Sequence, residues 1–110
     1  MEPNNENPEN ISLLRLKGKL DFTSATEFEQ KFNIMLSEGG EKFILDFSEV
    51  QYMSSAGLRF LLIASKKTKG NVVLCEVKDS VKQVIEIAGF ASMFNFSHNQ
   101  QQAVEILTKN

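Results

Sequence analysis

The chain has 110 residues, of which 42% are hydrophobic and 24% charged, with a formal charge of −2. One domain of that length buries about 60–70% of its unfolded surface, so a packed core needs no help from metals or disulfides. The mixed charges and the lack of a basic cluster exclude a phosphate-tracking nucleic-acid surface, so no direct nucleic-acid partner is expected.

The single cysteine, Cys75, lies in the apolar run Val72-Val73-Leu74-Cys75, which excludes an internal disulfide and reads as a buried thiol in a reducing compartment. Neither a basic-then-apolar leader nor an 18-residue apolar stretch is present, so the chain is expected to be cytoplasmic without membrane insertion. Residues 1–10 hold both prolines, three glutamates and no lysine or arginine. That composition reads as a disordered tail ahead of one domain over residues 11–110.

Ile11 to Leu16 and Lys19 to Phe22 alternate apolar and polar residues, which predicts a β-hairpin or a bent strand turning at Gly18. A first helix is expected from Thr23 or Ser24, because Ser24-Ala25-Thr26-Glu27 has capping-box spacing. Phe28, Phe32, Met35 and Leu36 recur on one face as core, and Gly39-Gly40 stops the helix. Lys42 to Phe47 is nearly all apolar, as in a strand covered on both faces. A polar turn then leads to Ser54 and Ser55, where a second helix opens and runs to about Thr68, with Lys66, Lys67 and Lys69 suiting the dipole at its exit.

Asn71 to Glu76 reads as another strand. A third helix is expected to be capped by Asp79 or Ser80, to share Val81, Val84, Ile85 and Ala88 on one face, and to end at Gly89. Phe94-Asn95-Phe96 suggests a short strand, and Gln100 to Thr108 a last helix with Ala103, Ile106 and Leu107 inward. The order is β-β-α-β-α-β-α-β-α, an α/β fold with four helices on a mixed sheet of four or five strands joined by right-handed crossovers.

Chemistry-bearing residues are sparse. The one histidine, His98, lies far along the chain from both serines, and Met53-Ser54-Ser55-Ala56-Gly57 lacks the spacing of a nucleophile elbow. No phosphate loop, cofactor motif or metal-ligand spacing is present, and Asp46 with Glu49 reads as a pair of solvated turn carboxylates. These features point away from an enzyme and imply no cofactor. A serine hydroxyl at a helix start has two readings: a cap accepting an N–H bond, or a carrier of phosphate in a place that favours anions.

The run Leu45 to Leu58, LDFSEVQYMSSAGL, resembles the signature of STAS domains, particularly the bacterial anti-sigma-factor antagonists. That signature is Asp-x-Ser at a strand end, then a hydrophobic residue, Asp-Ser-Ser/Thr-Gly-Leu and a helix. With Gly57-Leu58 as anchor, the resemblance places Ser55 on the phosphorylated serine and Ala56 on a small-residue position, while Ser54 replaces an aspartate. Gly18-Lys19-Leu20-Asp21 is similar to the family's Gly-x-Leu-Asp segment, which implies that Asp21 lies near the phosphoserine and contacts the partner. Ser54 is the competing phosphoacceptor. Arg59 reads equally as an interface contact or a solvated helical arginine, and Gly57 as a packing position or a place of partner approach.

The resemblance implies a binding module that sequesters an anti-sigma factor with serine-kinase activity and so frees a sigma factor for transcription. Phosphorylation by that kinase ends the interaction, and a metal-dependent serine phosphatase restores it. The alternative is a non-phosphorylated STAS adaptor in a stress-signalling assembly or a lipid-transporter complex.

Overall fold

The computed structural model describes residues 11–109; the predicted tail over residues 1–10 lies outside them. Four strands and four helices alternate: β1 (Ile11–Leu20), α1 (Phe22–Ser37), β2 (Lys42–Met53), α2 (Ser55–Lys67), β3 (Val72–Cys75), α3 (Asp79–Ile87), β4 (Asn95–Ser97) and α4 (Gln100–Thr108). The α/β class and the helix count stand as expected. The sheet has the order β1-β2-β3-β4, and all three pairings among the described residues are parallel rather than mixed.

That order decides where the core sits. Consecutive parallel neighbours joined by crossovers of one hand put all the connecting helices on one face of the sheet. Leu14, Leu16 and Leu20 of β1, Phe43, Leu45 and Phe47 of β2, and Leu74 of β3 form one cluster with residues of α1, α2 and α3. The helix after the last strand crosses nothing, and α4 covers the other face, where Ala103 and Leu107 meet Ile44, Val73 and Cys75. Strands β2 and β3 are therefore buried on both sides, which accounts for the apolar run of β3 and the nearly apolar run Phe43 to Phe47 of β2. Strand β1 is covered on one side only. Its Leu14 and Leu16 are buried, whereas Leu13, Arg15, Lys17 and Lys19 are exposed.

The alternation on either side of Gly18 thus belongs to one bent strand and not to a hairpin. Gly18 has φ +78°, a conformation that costs a glycine little, and the β1–β2 register shifts on both sides of it. Ile11 pairs with Lys42 and Leu20 with Met53, so β2 accommodates two extra residues as bulges. The first has a visible cause: the amide of Ser48 turns to donate to Asp46 Oδ1 at 2.8 Å. Because of this lengthened pairing β2 continues to Met53, through the stretch predicted as a polar turn.

Phe32 joins three elements of the main core. Its ring centroid lies 4.6 Å from that of Phe43 and 6.0 Å from that of Phe60, linking α1, β2 and α2. Other expected details shift. Helix α1 is capped by Asp21, with Ser24 as the reciprocal partner, so its capping box falls three residues before the predicted Ser24 to Glu27 box. Helix α3 is capped by Lys78 without a side-chain bond, and Ala88 is exposed. Cys75 is buried, and burial pushes its thiol up to about 11. No helix of the described residues is long and apolar enough to cross a membrane.

Candidate functional site

The carboxyl ends of β1 and β2 lie side by side, and each feeds directly into a helix. Leu20 pairs with Met53; Asp21 then caps α1, and Ser54 caps α2. The two helix starts share the carbonyl of Leu20, which accepts from the Ser54 backbone N–H at 3.0 Å and from the Ser54 hydroxyl at 3.3 Å. The Ser54 oxygen in turn accepts from the Ala56 N–H at 3.2 Å. Half-buried, with its proton and a lone pair both engaged, Ser54 is the cap of the two serines.

Ser55 is the first residue of α2 and is exposed. Its hydroxyl makes no hydrogen bond to another described residue. No acidic side chain occupies the first turn of α2, so the positive end of its dipole is uncompensated within the helix. The two adjacent serines therefore differ in kind, one locked into the fold and one standing free at a place that favours an anion.

Asp21 is held by its own helix. Ser24 donates its backbone N–H to Asp21 Oδ1 at 3.2 Å, and the Asp21 N–H donates to Ser24 Oγ at 3.1 Å. The Ser24 amide is the main cause that keeps the Asp21 carboxyl below its ordinary range. Arg59 is exposed one turn into α2, without an ion pair among the described residues. Ala56 is half-buried against the main core.

Gly57 is a packing position. A Cβ there would lie 2.6 Å from Met53 Cγ, 2.8 Å from the Leu20 carbonyl oxygen and 2.9 Å from Leu20 Cγ. The Leu20 oxygen is the acceptor that ties down Ser54, so it has no freedom to retreat. We expect Gly57→Ala to cost about 1–2 kcal/mol, overpacking outweighing the better helix propensity of alanine. Chemical denaturation with a lower midpoint and an unchanged slope is the check. Ser54→Ala is expected to cost about 1 kcal/mol through the lost cap, with Ser55 left available to a kinase.

Three residues escape sequence reasoning. Asp46, read as a solvated turn residue, is only 2% exposed and accepts from Arg15 Nε and Gln100 Nε2, each at 3.1 Å. An acidic residue inside the apolar run Phe43 to Phe47 was the available signal. Phe22 and Tyr52, 75% and 52% exposed, flank the two caps in sequence, and no periodicity distinguishes such aromatics from core. Among the described residues no group of three or more His, Cys, Asp or Glu side chains is placed to hold a metal ion.

The profile of the STAS domain matches residues 2–103. The chain belongs to the STAS domain family. Its relatives include the Bordetella bronchiseptica protein BtrV, named as an anti-sigma factor antagonist, at 34% identity over 91 residues, covering 80% of this chain and 78% of that protein. A Thermotoga maritima protein has the same fold, with a TM-score of 0.82 at 17% identity over 90% of this STAS chain and 88% of its own. The anti-sigma factor antagonist SpoIIAA in its unphosphorylated form gives a TM-score of 0.74 at 18% identity, covering 88% and 89% of the two chains. Its phosphorylated form, described for Bacillus, gives 0.66 at 17% identity, covering 86% and 90%. At those identities the solved structures show the STAS fold alone.

Proposed function

We propose that this STAS domain is an anti-sigma-factor antagonist switched at Ser55. In the unphosphorylated state it sequesters an anti-sigma factor that is also a serine kinase, which frees a sigma factor for transcription. Transfer of phosphate to Ser55 by that kinase ends the interaction, and a metal-dependent serine phosphatase resets the domain. The observation that carries this reading is the contrast between the two serines: Ser54 is bonded at both its proton and its oxygen, and Ser55 is exposed with no side-chain hydrogen bond among the described residues.

The physics of the helix start supports a reversible charge there. A phosphate adds about −1.5 to −2 charges, which the free N–H groups and the dipole of α2 tolerate inside the domain. Against a closely docked partner the same group brings bulk, charge and a desolvation cost. The partner surface in this reading is centred on Ser55 and Arg59, with Asp21, Ser54 and Ala56 at its edge and Gly57 acting through packing. The kinship with BtrV and the existence of SpoIIAA in two phosphorylation states agree with it.

Incubation with ATP and the cognate anti-sigma factor, followed by fragmentation mass spectrometry, tests the assignment. Phosphate on Ser55 is the expected result; phosphate elsewhere rejects it. A chain that takes no phosphate and co-purifies with a membrane ATPase supports the adaptor reading instead.

A further inference from the structure

A cleft of about 290 Å³ opens between the start of α3 and the end of β4, lined by Val77, Asp79, Lys82, Phe96, Ser97 and His98. Strand β3 lies between β4 and β2, the strand that leads to Ser55. We propose that this cleft binds a small monocarboxylate with a flat apolar body.

Three features define that ligand. Lys82 places its ammonium 4.8 Å from the centroid of the Phe96 ring, and has no carboxylate partner among the described residues. A cation held by an aromatic face is available for a charge-assisted bond to an anion. Half-buried Val77 and Phe96 line the cleft beside it, and because the ammonium stands over the Phe96 face, a planar ring would lie against Val77 and the edge of Phe96. His98 adds an imidazole whose position is fixed through its backbone: its N–H donates to Gln102 Oε1 at 2.7 Å, and the ring has no hydrogen-bond partner among the described residues.

Asp79 sets the upper limit on ligand charge. It lies three residues before Lys82 on the same face of α3 and lines the same cleft, so a second negative charge on the ligand meets a carboxylate. A monoanion with its charge at Lys82 and its body against Val77 and the Phe96 edge avoids that repulsion, whereas a polyanion does not. The volume, about that of ten waters at roughly 30 Å³ each, restricts the ligand to one ring or its aliphatic equivalent.

Titration of the isotope-labelled chain with sodium benzoate, followed by amide NMR shifts, tests the proposal. Saturable shifts at Lys82, Ser97 and His98 are expected. Acetate, which lacks the ring, and benzyl alcohol, which lacks the charge, are each expected to bind roughly tenfold more weakly. Lys82→Met and Lys82→Gln are expected to weaken benzoate binding roughly tenfold, with amide shifts remote from the cleft unchanged. Absence of saturable shifts in the cleft, or Lys82 variants that bind as the wild type does, would overturn it. Neither result touches the assignment of Ser55.

Discussion

Ser55→Ala is expected to take no phosphate and to hold its anti-sigma factor in the presence of ATP, where the wild-type complex disperses. Ser55→Asp is expected to weaken the complex without any nucleotide. The physical difference lies in one position that is exposed at the start of α2 and makes no side-chain hydrogen bond among the described residues. Removing its hydroxyl therefore leaves the domain's own contacts in place. Aspartate carries one charge where phosphate carries up to two, and it has less bulk, so it mimics the modification only in part. A loss of roughly tenfold is expected for Ser55→Asp and of roughly a hundredfold for the phosphorylated wild type, each tenfold corresponding to about 1.4 kcal/mol. Titration calorimetry against the cognate partner measures both. Ser54→Ala serves as the internal comparison: it should lose stability and keep the switch. If Ser55→Ala is still phosphorylated and the phosphate sits on Ser54, the roles of the two serines are exchanged and the reading fails.

What could be read from the sequence was what depends on neighbours in the chain. The apolar runs of β2 and β3, the start of α2 beside Ser54, and the last helix from Gln100 to Thr108 are local patterns, and the structure keeps them. What was hidden depends on residues far apart in sequence. Whether the alternation around Gly18 is a hairpin or one bent strand is decided by its pairing with β2, about thirty residues later, which draws both halves into a single parallel ladder. The cap of α1 falls on Asp21 because the Ser24 hydroxyl is taken up by the Lys19 carbonyl and the Asp21 amide, a bend that only the end of β1 creates. Gly57 offered two readings, and the packing one becomes visible only through the close approach of Leu20 from β1, more than thirty residues earlier in the chain. The difference between Ser54 and Ser55 has the same origin: the Leu20 carbonyl accepts from the Ser54 hydroxyl, and no spacing rule carries that information.

Asp46→Ala is expected to lower stability by about 3 kcal/mol, a larger loss than that of Gly57→Ala or Ser54→Ala. One carboxylate serves three elements at once. It accepts from Arg15 on β1, from Gln100 at the start of α4, and from the Ser48 amide that forms the first bulge of β2. Deletion leaves the Ser48 amide and Gln100, both half-buried, short of an acceptor, whereas the Arg15 side chain is 54% exposed and recovers more of its loss in water. Acid should reproduce part of the effect. Burial pushes the Asp46 carboxyl up, but the Ser48, Arg15 and Gln100 bonds together pull it below its ordinary value of 3.8. A carboxyl depressed in the folded state stabilises the fold above its unfolded value, and that contribution is lost as pH falls through the folded one. The Asp46 contribution is therefore complete at neutral pH and declines below about pH 4. Thermal unfolding across that range is expected to show a melting temperature roughly 10–15 °C lower for the variant at neutral pH, with the gap narrowing in acid as the wild type loses the same charge. Parallel curves with a constant gap would show that Asp46 acts through packing and that its charge contributes nothing.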